Sequence, residues 1–265
     1  MARMTQASAT ARAQRLAPAR IPVETDAFTP PLDAASTGAA EQAIEHWSFL
    51  EHLYSASAFA IVFIVICCGL YPLVVWAIAQ AVFPIQANGS LVTKTGAFTA
   101  DPEQAVGSML LAQNFAAAQY FHPRPSAAGN GYDASSSGGT NLGPLSDKLI
   151  NGIHDAKNAD GTDNPAGNFD GIKDLVAAYR TENALPADAI VPADAVTRSA
   201  SGLDPHVSLE NAALQAARVA QARGLTASAV RRLIDKYTDA PALGILGEPG
   251  VNVLMLNLAL DRGER

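Results

Sequence analysis

The run SASAFAIVFIVICCGLYPLVVWAIAQAVFP, residues 55–84, holds no charged side chain, and the charge-free stretch continues from Ser55 to Val92. About 25 helical residues at about 1.5 Å each reach about 38 Å, more than the roughly 30 Å of bilayer hydrocarbon, so one tilted span is expected. Tyr54, Tyr71 and Trp76 are the rings available for interfacial anchoring, with Tyr71 nearest the middle, and Pro72 is expected to bend the helix. A cleaved signal peptide would start earlier, behind a basic segment, and would carry a shorter apolar run. A buried helix of a soluble protein is seldom apolar on every face over such a length.

Working outward, the span accounts for an unusual composition, 49% hydrophobic residues beside 16% charged ones. Residues 1–52 carry four arginines against six acidic residues, a charge of −2, and the remainder carries fourteen basic against nineteen acidic, −5, for −7 overall. Neither part is basic enough for a nucleic-acid surface. Cys67 and Cys68 are adjacent inside the apolar run, so no disulfide framework or cysteine metal site is expected. The positive-inside count rests on Arg3, Arg12, Arg15 and Arg20, which favour a cytoplasmic N-terminus, although Glu41, Glu45 and Glu51 stand closer to the membrane.

Three regions follow. Residues 1–52 read as a disordered or partly helical extension, 53–83 as the transmembrane helix, and 84–265 as a soluble domain large enough for its own core. EQAIEHWSFLEHLY, residues 41–54, suggests a juxtamembrane helix running into the span. In the soluble domain, Asp101 and Pro102 predict a helix start, with Val106, Met109, Leu110 and Phe115 as its apolar stripe. Asp170 predicts a second start. Ser208 is expected to cap a third helix that Gly224 stops, and Thr226 a fourth. LVTKTGAFT, residues 91–99, reads as strand, whereas GVNVLMLNLAL, residues 250–260, fits strand or helix. The fold class is therefore α+β, one N-terminal transmembrane helix followed by a mixed α/β domain.

Candidate chemistry centres on YFHPRPSAAGNGYDASSSGGTNLGP, residues 120–144. Its SSSGGTN run could cradle phosphate through backbone amides, but it lacks the lysine and hydroxyl of a P-loop and the GxGxxG spacing, so a packing turn is the simpler reading. Asp204 and His206 in SGLDPHVS resemble an acid–base pair, yet the same residues suit a turn leading into the Ser208-capped helix. His122 has no partner at metal-ligand spacing. Arg124, followed by Pro125, is expected to form a structural ion pair or a partner contact, because its planar fork suits carboxylates. Hydrolase signatures such as GxSxG and HExxH are absent from the sequence.

Three long blocks, GSMLLAQNFAAAQYFHPRPSAAGNGYDASSSGGTNLGP (107–144), VPADAVTRSASGLDPHVSLENAALQAARVAQARG (191–224) and LGILGEPGVNVLMLNLALD (243–261), together resemble the C subunit of the bacterial potassium-transporting P-type ATPase, the KdpC family. The resemblance runs from about Leu53 to Asp261. It implies an accessory, single-pass inner-membrane subunit with its C-terminal domain outside the cytoplasm, in the periplasm. The partners implied are the channel-like A subunit, the P-type ATPase B subunit and the F subunit, together with membrane lipid and no nucleic acid. TKTGAFT, residues 93–99, lacks the aspartate that a P-type pump phosphorylates, so no catalysis is expected of this chain by itself. The family also carries a catalytic-chaperone role, in which ATP would be the only cofactor, bound together with the ATPase subunit. On that account Ser137, Gly138 and Gly139 with Gln215 and Arg218 are the nucleotide candidates. Tyr120, Phe121, Arg124, Pro125, Tyr132 and Asn141, with Asp204, are the structural or partner-contact candidates.

Overall fold

The computed structural model describes residues 49–265; the extension and the first part of the juxtamembrane segment lie outside the described residues. The chain divides into two compact units at Leu70 and Tyr71. The first unit is helical, α1 (Phe49–Phe63) followed by a π-helical turn (Ile64–Leu70), and none of its side chains is buried. The second unit opens with α2 (Tyr71–Val82), again without a buried residue. Phe49–Val82 is the one helix among the described residues long and apolar enough to cross a membrane. The π-helical turn Ile64–Leu70 ends just ahead of Pro72, and proline offers no N–H to a helix.

After a short helix α3 (Pro84–Ala87), strands β1 (Leu91–Val92) and β2 (Gly107–Ser108) pair antiparallel, with Leu91 opposite Ser108. Short helix α4 (Asp147–Asn151) leads to α5 (Ile172–Glu182) and to one further turn, α6 (Ala193–Val196). The remainder builds the core. It comprises β3 (His206–Val207), α7 (Leu209–Arg223), α8 (Ala227–Lys236), β4 (Thr238–Asp239), β5 (Gly250–Asn252) and α9 (Val253–Asp261). A three-stranded antiparallel sheet in the order β3–β5–β4 places Val251 opposite both Val207 and Thr238. Against it, α7, α8 and α9 bury Ala212, Ala216, Val219, Val230, Leu233, Ile234, Leu256 and Leu260, and Phe121 joins this cluster from the loop region. Mixed helices with two small antiparallel sheets make the α+β class expected.

Local chemistry explains the helix ends. The Ser208 hydroxyl accepts from Asn211 N at 3.1 Å, Gly224 takes the left-handed conformation at φ 64° that a side chain disfavours, and the Thr226 hydroxyl accepts from Ala229 N at 3.2 Å. The second helix starts one residue later than expected. Its cap position is Gly171, whose N–H is held at 2.8 Å by the carboxylate of Asp174, while Asp170 stays outside.

The helix expected from Asp101 does not form. Asp101 instead accepts from Glu103 N at 3.0 Å in a local turn, and the chain enters β2, where the Ser108 hydroxyl donates to Gly89 O at 2.7 Å. Sheet pairing with β1 has overridden a helix-start signal. Residues 250–260 resolve their ambiguity by being both, three residues of strand and then a helix capped by Asn252, whose side chain accepts from Met255 N at 3.1 Å.

Glu264 holds the C-terminal end. Lys236 Nζ donates to it at 2.7 Å and Arg262 at 2.6 Å, and these bonds pull its carboxyl from the ordinary 4.5 down to about 2. Because the folded value lies below the unfolded one, the stabilisation is complete above about pH 4.5 and is lost as pH falls towards about 2. Solvent screening keeps it below about 1 kcal/mol. Comparing thermal midpoints of the wild type and Glu264→Gln should show a small deficit in the variant near neutral pH that disappears in acid and in high salt.

Candidate functional site

The site grows from two amide side chains that grip adjacent peptide groups of one loop. Asn257 on α9 accepts from Phe121 N and donates to Phe121 O, both at 2.9 Å. Gln215 on α7 accepts from His122 N at 2.7 Å and donates to His122 O at 3.1 Å. Each amide does for the loop what a neighbouring strand would do; the Asn257–Phe121 pair is buried, and the bonds of buried Gln215 to His122 are partly buried.

A polar network backs the grip. Gln215 also donates to Asn211 Oδ1 at 2.8 Å and accepts from Arg218 at 2.8 Å. Arg218 spends its other donors on Ala118 O, Tyr120 O and Asn183 Oδ1 at 2.7 to 3.0 Å. Tyr179 donates to Asn211 Oδ1 at 2.8 Å, and burial, seconded by the charge of Asp194, raises its pKa. The carboxylate of Glu182 meets His122 Nδ1 at 2.8 Å, and that hydrogen bond holds it below the usual carboxylate range. Tyr120 is fixed at its far end, its hydroxyl 3.1 Å from Asp261 and the Arg223 guanidinium 5.0 Å over its ring.

Further along, the loop is sewn to residues 199–204. Arg124 NH1 donates to Asp204 at 3.0 Å, forming a structural ion pair. Pro125 O accepts from Ser199 N, the Ser126 hydroxyl donates to Gly202 O at 2.6 Å, and the Ser137 hydroxyl and Gly138 N both reach Ser201 O. Tyr132, at φ 58°, donates to Arg124 O at 2.9 Å, and burial pushes its phenol up to about 12. Gly202 cannot carry a side chain, because at φ 68° a Cβ would lie 2.7 Å from that of Ala128. Asn141 also adopts the left-handed region, at φ 54°. An open cavity of about 560 Å³ lies beside the ion pair, lined by Arg124, Asp204, Ser137, Ser199, Leu110 and Leu203 among others. Arg124 Nε and Ser199 Oγ there are buried without a hydrogen-bond partner, so the arginine keeps a donor that the fold does not use.

The structure thus separates the nucleotide candidates. Ser137 lines the cavity, and Gly138 and Gly139 press against Ser201 and Ala200, whereas Gln215 and Arg218 do not line it and commit their polar groups to the 118–122 backbone. His206 donates its backbone N–H to Asp204 and turns its ring to Asp239 at 2.8 Å. That arrangement is a turn feeding β3. Among the described residues no group of His, Cys, Asp and Glu is placed to hold a metal.

The family model of the K+-transporting ATPase c chain, KdpC, matches residues 53–262. This chain belongs to the KdpC family. Potassium-transporting ATPase KdpC subunits of Mycobacterium tuberculosis and Mycobacterium bovis are 49% identical to it over 210 residues, covering 79% of this chain and 97% of theirs. That of Caulobacter sp. is 47% identical over 212 residues, 80% of this chain and 94% of its own. The KdpC match contains both units of the site, the 117–139 loop and the α7 and α9 amides that hold it. Sequence reading passed over Asn257, Asn211 and Glu182. Asn257 did leave a signal, since an amide within the apolar run VLMLNLAL implies a buried polar partner.

Proposed function

We propose that this chain is an accessory subunit of the ATP-driven, high-affinity potassium transporter, without chemistry of its own, and that its role is assembly and stabilisation of the complex. What carries the reading is how the loop is built. Its 118–122 backbone groups and its Ser126 and Ser137 hydroxyls are bonded within the fold, which suits a docking surface, and among the described residues no nucleophile, base and oxyanion donors converge. The same bookkeeping disfavours a nucleotide site at Gln215 and Arg218.

Helix Phe49–Val82 anchors the chain in the bacterial inner membrane, since 34 helical residues span roughly 50 Å and none is buried within the protein. The N-terminus lies in the cytoplasm and residues 84–265 lie in the periplasm. There the domain meets the channel-like A and ATPase B subunits, with F completing the complex. Its charge of −5 outside the extension mildly enriches cations nearby, an effect that salt screens over about 10 Å.

Affinity purification of the tagged full chain in mild detergent from potassium-starved cells tests the reading. Recovery of the P-type ATPase subunit with the chain is expected. A chain that returns alone from cells making every subunit contradicts it.

A further inference from the structure

The connection between β4 and β5 reads APALGILGEP over residues 240–249 and carries no charge before Glu248. Its tip is a closed, preformed hairpin end. Ala242 and Leu246 exchange two backbone hydrogen bonds at 2.9 Å, and Gly244 N donates to Pro241 O at 2.9 Å. Yet the side chains it presents are aliphatic and face solvent, Leu243 at 88%, Ile245 at 81% and Leu246 at 58% exposure. Leu243 also sits at φ 54°, a left-handed conformation that costs a branched side chain roughly 1–2 kcal/mol. Asparagine or glycine would occupy that position with less strain and better hydration. Exposure and backbone strain therefore act together against leucine here, and the described residues give no return for either.

Three occupants would cover such a tip. A lipid surface suits it poorly, because residues 239–250 hold no Lys, Arg, Trp or Tyr, and the acidic Asp239 and Glu248 that flank it are repelled by anionic headgroups. A second copy of the chain suits it poorly too, since three side chains bury far less than the roughly 1,000 Å² that a stable interface needs. For a protein already held beside this chain by other contacts, a small apolar contact is sufficient, because the effective concentration is high and the rigid tip loses little entropy on docking.

We propose that residues 242–246 seat in an apolar cleft of a neighbouring transporter subunit, a cleft rimmed by a basic side chain that faces Glu248. The proposal rests on the assembly reading above and adds the surface that makes the contact. The tip acts as a plug, with Leu243 and Ile245 buried on assembly.

The test uses the tagged full-length chain co-expressed with the other subunits. In the double variant Leu243→Asn with Ile245→Ser, recovery of those subunits should fall about tenfold or more. The thermal midpoint of the purified variant should stay level or rise, because asparagine tolerates the left-handed position. Glu248→Lys should weaken recovery and leave that midpoint unchanged. A benzophenone amino acid at position 245 should crosslink to another subunit. Undiminished recovery with the double variant overturns the proposal while leaving the assembly reading intact; a wild-type chain that recovers no subunit overturns the assembly reading itself. Crosslinks confined to lipid, or a chain expressed alone that is dimeric as wild type and monomeric as the variant, identify another occupant and overturn the proposal too.

Discussion

Replacing Asn257 with leucine is expected to destabilise the domain by about 2–4 kcal/mol, a fall of about 5–15 °C in thermal midpoint for a unit of this size. Leucine keeps the four heavy atoms and the branch point of asparagine, and its bulkier methyls open no cavity, so the effect combines the lost amide with some overpacking. Phe121 N and Phe121 O then both lack partners in a site that water does not reach, and each unsatisfied backbone group costs about 1–3 kcal/mol. The phenylalanine ring lies in the same core cluster as Val219 and Leu256, so a loosened backbone also loosens that packing. Near-ultraviolet circular dichroism of the purified chain during heating reads the change. A shift below about 1 kcal/mol would mean that the amide does not hold the loop.

What could be read beforehand was whatever depends on neighbours in sequence. Composition exposed the long helix, because no soluble fold covers residues 55–84 on every face. Ser208, Gly224 and Thr226 gave correct helix ends, since a cap satisfies groups within its own turn. Asp101 and Pro102 offered the same local chemistry and misled, because Gly107 and Ser108 were claimed by pairing with β1, a partner about 16 residues away. The site obeys the same division. Arg124 announced itself as an ion-pair former, but its partner Asp204 lies 80 residues on, a distance that no local pattern bridges. Gln215 and Arg218 entered as nucleotide candidates only through the family resemblance, and the bonds they make to the 118–122 backbone are visible only in the fold.

The second large effect concerns the helix Phe49–Val82. Val65 and Val74 lie well inside its apolar run and neither is covered by the protein, so arginine at both positions leaves packing of the soluble domain untouched. Within hydrocarbon the two charges together cost about 5 kcal/mol, enough to remove most of the insertion preference of one span. The variant should be released or degraded, and the thermal midpoint of its folded domain should not change. In water the wild-type helix instead leaves some thirty residues of exposed apolar surface, which no folded soluble protein of this size tolerates without aggregating.

Alkaline carbonate extraction of cell membranes, comparing the full chain with Val65→Arg/Val74→Arg, therefore tests the anchored-subunit account most directly. The wild-type chain is predicted to remain in the membrane pellet and the variant to leave it. A wild-type chain recovered in the aqueous supernatant with residues 49–82 intact, or a variant retained as firmly as the wild type, would contradict it.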